Sequence, residues 1–220
     1  MISVAIDGPA GAGKSTISRH VAKALGFIYV DTGALYRTVA LHLLNAGIAA
    51  DDEAAIEAAL PDIKVDLRFI DGEQHMFLND KDVTDLIRTP EVSMMASRSS
   101  AVKCVRAYLL NCQRDLACRY NVVMDGRDIG TVVLPQAQIK IFLTADPEDR
   151  ARRRYDEMIA KGMEADYEAV LADLKERDYN DSHRPIAPLK PAEGSVIINT
   201  TGFTFEGACE LLLNTIKERL

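Results

Sequence analysis

The chain of 220 residues has no tryptophan, little aromatic content and no excess of positive charge. Its formal net charge is −7, which argues against a protein that binds DNA or RNA non-specifically. No apolar run approaches the length of a membrane span. The first residues lack the basic segment and the apolar stretch of a signal peptide, so we expect them to form the first strand of the fold.

Cysteine is scarce, with four in the whole chain: Cys104, Cys112, Cys118 and Cys209. None forms a CxxC pair, and no histidine lies at a zinc-ligand spacing from them. A disulfide or metal role is therefore disfavoured, and the cysteines are interpreted as small core residues in a reducing compartment. This predicts a cytoplasmic protein.

The remaining composition is that of a packed domain, with 48% hydrophobic and 27% charged residues. The length suits one α/β domain with inserted segments. No heptad pattern or long apolar patch indicates an oligomer, so a monomer is expected. Arginine outnumbers lysine. Because arginine binds phosphate in bidentate fashion, this bias fits small phosphorylated ligands, although many arginines are simply good helix-surface residues.

Strand and helix patterns alternate along both ends of the chain. Apolar runs predict strands at 2–6, 27–30, 122–124, 139–143 and 196–198. Helical periodicity predicts helices at 14–25, 33–46, 51–60, 90–96, 102–119, 148–161, 167–177 and 205–219. The expected fold class is α/β, with a parallel sheet flanked by helices and joined by right-handed crossovers. Asp146-Pro147 is a predicted helix start with the aspartate as cap.

A different pattern interrupts the chain after residue 60. Val65, Leu67 and Phe69 alternate with polar residues, and Asp71-Gly72 is a turn signal before a possible return strand at 76–78. We therefore predict a small antiparallel β insert.

The segment from Gly8 to Ser15 matches GxxxxGK[ST] and stands between a predicted strand and a predicted helix. Such a P-loop wraps backbone N–H groups and a helix N-terminus around phosphates, with Lys14 on the β- and γ-phosphates and Ser15 on Mg²⁺. The alternative is a glycine-rich turn with a chance Lys-Ser pair. The predicted ATP-binding residues of this segment are Gly8, Pro9, Ala10, Gly11, Ala12, Gly13, Lys14, Ser15 and Thr16.

Other residues narrow the class of P-loop protein. No Asn-Lys pair of a guanine-binding NKxD motif occurs, which disfavours a GTPase. Asp125 follows an apolar strand, where a carboxylate can hold a magnesium-bound water. Its alternative role is to cap a turn or helix.

Four segments resemble the bacterial cytidylate kinases, a family of nucleoside monophosphate kinases: IDGPAGAGKST at 6–16, DTGALYR at 31–37, MDGRDIGTVV at 124–133 and KERDYNDSHRPIAPL at 175–189. The β insert also matches that of bacterial members. The resemblance covers nearly the whole chain. It implies transfer of the γ-phosphoryl group of MgATP to CMP or dCMP.

The resemblance also implies residue roles. The base would be read by Ser97, Arg106 and Asp128. The sugar would contact Thr32, Arg177 and Asp181, although the family often has serine at position 32. The acceptor phosphate would be held by Arg37, Arg127 and Arg184. In the 150–154 arginine cluster, Arg153 and Arg154 match the family's ATP-lid pair. Lys14, Arg127, Arg153 and Arg184 are the expected catalytic residues.

Each of these side chains also has a simpler interpretation. Ser97 by itself would be taken as a helix-surface serine, and Arg37 and Arg184 as members of surface ion pairs. The arginine cluster could be a solvated helix face. Only the motifs around these residues favour the functional roles.

The implied organisation is one kinase domain with three regions. The core comprises about 1–32, 97–145 and 186–220, the monophosphate-binding region with the insert about 33–96, and the lid about 146–185. The alternatives are another small-molecule kinase, acting on a different nucleoside monophosphate or on shikimate, and a non-catalytic nucleotide-binding switch. The segments at 124–133 and 175–189 disfavour both.

Overall fold

A computed structural model describes residues 1–220. The chain forms two compact units. One unit comprises residues 1–29 and 119–220, and the other comprises residues 30–118. The second unit is thus one continuous segment between the two parts of the first. The predicted division into core, monophosphate-binding region and lid concerns function and stays a prediction.

The chain forms eight strands and eight α-helices. The strands are β1 (Ser3–Asp7), β2 (Ile28–Asp31), β3 (Val65–Ile70), β4 (Glu73–Leu78), β5 (Lys81–Asp82), β6 (Val122–Gly126), β7 (Ile139–Thr144) and β8 (Val196–Asn199). The helices are α1 (Lys14–Leu25), α2 (Thr32–Asn45), α3 (Glu53–Ala59), α4 (Pro90–Ser99), α5 (Lys103–Arg119), α6 (Pro147–Ala160), α7 (Tyr167–His183) and α8 (Phe205–Lys217). No candidate membrane span is found among the helices.

A five-stranded parallel sheet has the order β2-β6-β1-β7-β8 and confirms the predicted fold class. Its central strand, β1, is buried along its whole length and pairs with β6 on one side and β7 on the other. Ligands of open parallel sheets bind outside the carboxyl ends of the strands, at the point where connections leave in opposite directions. The turn after β1 lies at such a point.

Residues 30–118 have a hydrophobic core of their own. Its fully buried members include Leu35 and Leu43 of α2, Ile56 of α3 and Leu109 of α5. The predicted insert is confirmed as the antiparallel sheet β3-β4-β5. Its first turn uses Asp71 and Gly72, both with positive φ, as the turn signal predicts.

Two local predictions were wrong. Helix α7 continues six residues beyond the predicted end at Arg177, to His183, because no glycine or proline occurs before Pro185. Asp146 occupies the N-cap position of α6, but its side chain makes no capping hydrogen bond. Pro147 at the first turn supplies the helix start instead.

Gly8 should be the glycine whose replacement disturbs the fold most. A Cβ at this position would lie 1.9 Å from the carbonyl oxygen of Leu143, and its φ is +152°. We expect Gly8→Ala to lower the free energy of unfolding by about 3 kcal/mol or more. Gly26→Ala is the matched control, because Gly26 also has positive φ but no atom within 4 Å.

The control should cost only about 1 kcal/mol. Urea unfolding followed by circular dichroism measures both variants. Equal midpoints for the two variants would contradict the close contact at Gly8.

Candidate active site

The turn between β1 and α1 has the geometry of a phosphate cradle. Gly11 and Gly13 adopt left-handed φ angles of 73° and 77°, and α1 begins at Lys14. The first turn of α1 contains no acidic residue, and its backbone N–H groups form the positive end of the helix. Lys14 is buried, and its ammonium donates to the carbonyl of Pro9 at 2.6 Å. Ser15 and Thr16 follow at exposed positions of the same turn.

The proposed magnesium-binding side chains lie side by side. The Ser15 hydroxyl donates to Oδ2 of Asp125 at 2.9 Å. Asp125 is placed there by β6, where it is in register with Ile6 of β1. Hydroxyl and carboxylate oxygens are ligands that Mg²⁺ accepts, usually with water and substrate phosphates completing its shell. The Ser15 hydroxyl and the Asp125 carboxylate therefore fit the chemistry of a magnesium site.

Tyr29 is a site residue that the sequence analysis missed. Its hydroxyl donates to Oδ1 of Asp125 at 3.0 Å, and its ring is buried. Both oxygens of Asp125 are therefore held, one by Tyr29 and one by Ser15. In the sequence, Tyr29 belongs to a short apolar run with no sign of a role. Only the folded chain shows that its partner, Asp125, lies on the neighbouring strand β6.

Asp7 is a second missed residue, at the end of β1. Its two carboxylate oxygens accept from the backbone N–H groups of Ile129 at 2.7 Å and Gly130 at 2.8 Å. Burial raises the pKa of Asp7 to about 6, and the two backbone hydrogen bonds oppose that rise. These bonds fix a short helical turn, Ile129–Val133, that follows β6 and begins next to Asp128.

The electrostatics at Lys14 favour an incoming anion. Burial lowers the pKa of Lys14 to about 7, and the positive charge of Arg127 lowers it further. Asp125, Asp181 and Asp7 act in the opposite direction but do not cancel the effect. An anionic phosphate beside Lys14 would stabilise its charged form.

The predicted substrate-binding groups of this unit form two ion pairs. Arg127 donates to Asp181 at 2.8 Å, and Arg184 lies 3.4 Å from Asp128. Burial alone would lower the pKa of Arg127, but Asp181 raises it above its usual range. Burial and the charge of Arg127 lower the pKa of Arg177. Arg127, Arg177 and Asp181 therefore share one electrostatic environment with Lys14.

The arginines of α6 point to different places. Arg153 donates to the carbonyl of Thr200 at 2.6 Å, and its guanidinium lies 3.9 Å from the Cβ position of Gly13, beside the P-loop. Arg154 is exposed and pairs with Glu157 at 2.9 Å. Arg152 stacks on Tyr167, 4.5 Å from the ring centre. The structure thus brings Arg153 to the P-loop and leaves Arg154 on the surface.

Thr32 and Arg37, two of the predicted substrate-binding residues, lie on α2 in the unit of residues 30–118. Asp31 caps α2 through the N–H of Ala34 at 2.9 Å and also accepts from Arg37 at 2.9 Å. The Nε of Arg37 is buried and has no hydrogen-bond partner. Thr32, the first residue of α2, is buried.

Ser97 and Arg106 are brought to the same region of this unit. Ser97 is half-buried on α4, and its carbonyl accepts from the hydroxyl of Ser100 at 2.8 Å. The carbonyl of Ser100 in turn accepts from Arg106 at 3.3 Å. The guanidinium of Arg106 is buried and lies 5.8 Å from the ring centre of Tyr36.

Comparison with known proteins identifies the family of these motifs. The sequence model of the cytidylate kinases matches residues 4–218. The cytidylate kinase of Carboxydothermus hydrogenoformans is 49% identical over 218 residues, which cover 98% of this chain and 97% of that protein. The cytidylate kinase of Ligilactobacillus salivarius is 47% identical, with 99% and 97% covered.

Solved structures show the same fold at low identity. A crystal structure of a protein from Eubacterium ventriosum has a TM-score of 0.56 at 14% identity, over all of both chains. A shikimate kinase from Bacteroides thetaiotaomicron has a TM-score of 0.50 at 12% identity, over 98% of each chain. These similarities concern the fold alone.

Lys14→Met should stabilise the protein in phosphate-free buffer at pH 7. The unfolded chain keeps the Lys14 proton up to a pKa of 10.5, whereas the folded chain releases it near 7. Folding therefore carries the full cost of the buried charge below pH 7, and this cost fades between pH 7 and 10.5. The gain in Tm from Lys14→Met should be largest at or below pH 7 and shrink towards pH 10.

Thermal unfolding by calorimetry at several pH values measures this difference. Lys23→Met is the control, because Lys23 is exposed on the same helix and should shift Tm little. A lower Tm for Lys14→Met at pH 7, or a gain that grows with pH, would contradict the buried-charge argument.

Proposed function

Since the chain belongs to the cytidylate kinase family, we propose that it transfers the γ-phosphoryl group of ATP, with Mg²⁺, to the 5′-phosphate of CMP or dCMP. Membership establishes cytidylate kinase function and a nucleoside monophosphate kinase enzyme. The identity of the acceptors, CMP and dCMP, is the part proposed here, and it is supported by the family. The transfer from MgATP is supported by the P-loop after the central strand, with Ser15 hydrogen-bonded to Asp125 of the adjacent strand.

The ATP side of the proposal uses the 8–16 segment, Arg153 and Arg154. Backbone N–H groups of the turn and the N-terminus of α1 would hold the phosphates. Mg²⁺ would be held by Ser15 and, through water, by Asp125, and when bound it neutralises charge on the phosphates. Tyr29 would keep the Asp125 carboxylate oriented towards that position. Arg154 would have to leave Glu157 to contact ATP.

The acceptor side rests on the family resemblance. Cytosine offers an amino donor at N4 and acceptors at N3 and O2. Asp128 and the Ser97 hydroxyl would accept from N4, and Arg106 would donate to N3 or O2. Uracil reverses the pattern at N3 and position 4, so it would leave buried groups unpaired.

The other acceptor groups follow the same resemblance. Thr32, Arg177 and Asp181 would contact the sugar, and Arg37, Arg127 and Arg184 would hold the phosphate. The unpartnered Nε of Arg37 leaves that guanidinium a free donor for a phosphate oxygen.

The chemistry needs positioning more than proton transfer. The nucleophile is an oxygen of the acceptor phosphate, which is already substantially ionised near neutral pH because its second pKa is about 6. Lys14, Arg127, Arg153 and Arg184 would stabilise the charge that spreads over the transferred group. Closure over the site would exclude water, which otherwise competes as acceptor.

The proposal also includes a cytoplasmic location, a monomeric state and small molecules as the only partners. None of the four cysteines is in a disulfide bond, which is compatible with a reducing compartment.

An acceptor panel tests the function directly. ADP release from MgATP should be fast with CMP and dCMP and slow with UMP, AMP, GMP, shikimate or no acceptor. A coupled steady-state assay measures all seven conditions. Turnover with another acceptor would contradict the proposed base-reading roles of Ser97, Arg106 and Asp128, but it would still show that the protein is a kinase. ATP binding without turnover on any acceptor would contradict the proposed reaction.

Asp128→Ala should reduce the preference for CMP over UMP, measured as the ratio of kcat/KM values, by about 10-fold or more. Because Asp128 also pairs with Arg184 at 3.4 Å, both individual rates should fall. Arg37→Met is the control: the phosphate is common to both acceptors, so this change should lower both rates and leave their ratio unchanged. An unchanged ratio in Asp128→Ala would show that Asp128 does not read the base.

A further inference from the structure

Arg150 is the buried arginine of α6, and no role was predicted for it. Only 3% of the residue is exposed. Its guanidinium reaches three separate elements: Nε donates to the carbonyl of Ala145 at 2.7 Å, one terminal nitrogen donates to the carbonyl of Ala10 at 2.9 Å, and the other lies 2.7 Å from Asp178. These are the end of β7, the P-loop and helix α7.

The contact with Ala10 constrains the phosphate cradle. A trans peptide is planar, so its carbonyl and the following N–H point in opposite directions. Arg150 holds the carbonyl of Ala10 on the side of α6, and the N–H of Gly11 therefore faces away from α6. The P-loop needs its N–H groups directed at the ligand, and Arg150 fixes one of the peptides that supply them.

The contact with Asp178 helps to hold α7, a helix with few fully buried residues. In its 17 residues only Leu174 and Asp181 are buried. Leu174 packs with Ala10 and Ala151, and Asp181 pairs with Arg127 at 2.8 Å. Positions 174, 178 and 181 lie on one helix face. Docking of α7 thus combines the packing of Leu174 and its partly buried neighbours Tyr167, Val170 and Leu171 with ion pairs, one of which is Asp178–Arg150.

We propose that Arg150 is a positioning residue that couples the docking of α7 to the orientation of the Ala10–Gly11 peptide, and so makes ATP affinity depend on the position of α7. Charge pairing at Asp178 holds the guanidinium in place, and the same guanidinium holds the P-loop carbonyl. Loss of either contact then weakens the other. The inference rests on the proposed function because it assumes that ATP is the ligand of the P-loop.

The test compares Arg150→Met, Asp178→Asn and the double variant with the unaltered protein. Arg150→Met should raise the Kd of MgATP, measured calorimetrically, by about 10-fold or more, and the KM for CMP should change less than about twofold. Asp178→Asn should weaken ATP binding less. The double variant should bind ATP no more weakly than Arg150→Met alone, because both changes break one unit.

Hydrogen exchange of the protein without nucleotide supplies a readout independent of activity. Amides of α7 should exchange faster in both single variants, and the Gly11 amide should change its NMR shift in Arg150→Met. Asp156→Asn is the matched control for the charge change in Asp178→Asn: Asp156 lies in α6, is exposed, and its replacement should leave ATP affinity and exchange unchanged. If Arg150→Met does not fold, Asp178→Asn and Arg150→Lys, which keeps the charge but has fewer donors, carry the test.

A purely structural role predicts a lower Tm with an unchanged Kd for ATP. That result, or additive effects in the double variant, would overturn the coupling. Failure of the proposed function is distinguishable: the unaltered protein would then not phosphorylate CMP, whatever the exchange and affinity data for Arg150 show.

Discussion

A lysine ammonium buried beneath a glycine-rich turn is the constraint around which the candidate active site is organised. Lys14 loses its hydration and gains one carbonyl, that of Pro9. The nearby charge of Arg127 adds to this cost, and three carboxylates offset part of it. Such a cluster of cations is stabilised fully only by an anion. The buried charge of Lys14 therefore lowers the free energy of unfolding at the place where phosphate is expected to bind, as is common in binding sites.

The carboxylates around this cluster have distinct tasks. Asp7 accepts two backbone N–H groups and fixes the turn that follows β6. Asp125 holds Ser15 and Tyr29, and Asp181 neutralises Arg127. Each carboxylate is tied to a different partner, and all three also offset part of the cost of the buried Lys14 charge.

Local signals in the sequence predicted much of this arrangement. The P-loop, the strand-helix alternation and the β insert follow from glycine spacing, apolar periodicity and turn residues, which act over a few positions. Tyr29, Asp7 and Arg150 were missed because their partners are Asp125, Ile129 and Asp178, which are distant in sequence and adjacent only in the folded chain. The full length of α7 was missed because its last turns are polar and lack an apolar stripe.

The continuity of the 30–118 unit has a consequence for synthesis on the ribosome. Its core draws only on residues 34 to 109, so it can close as soon as that segment emerges. β1 is made earlier, yet its partners β6 and β7 come later: Ser3 pairs with Val122, and Val4 with Ile139. This strand, which is buried along its whole length in the folded protein, must therefore remain unpaired while more than half of the chain is translated. The nascent protein is most exposed to aggregation during this interval, and a chaperone that shields the N-terminus would act there.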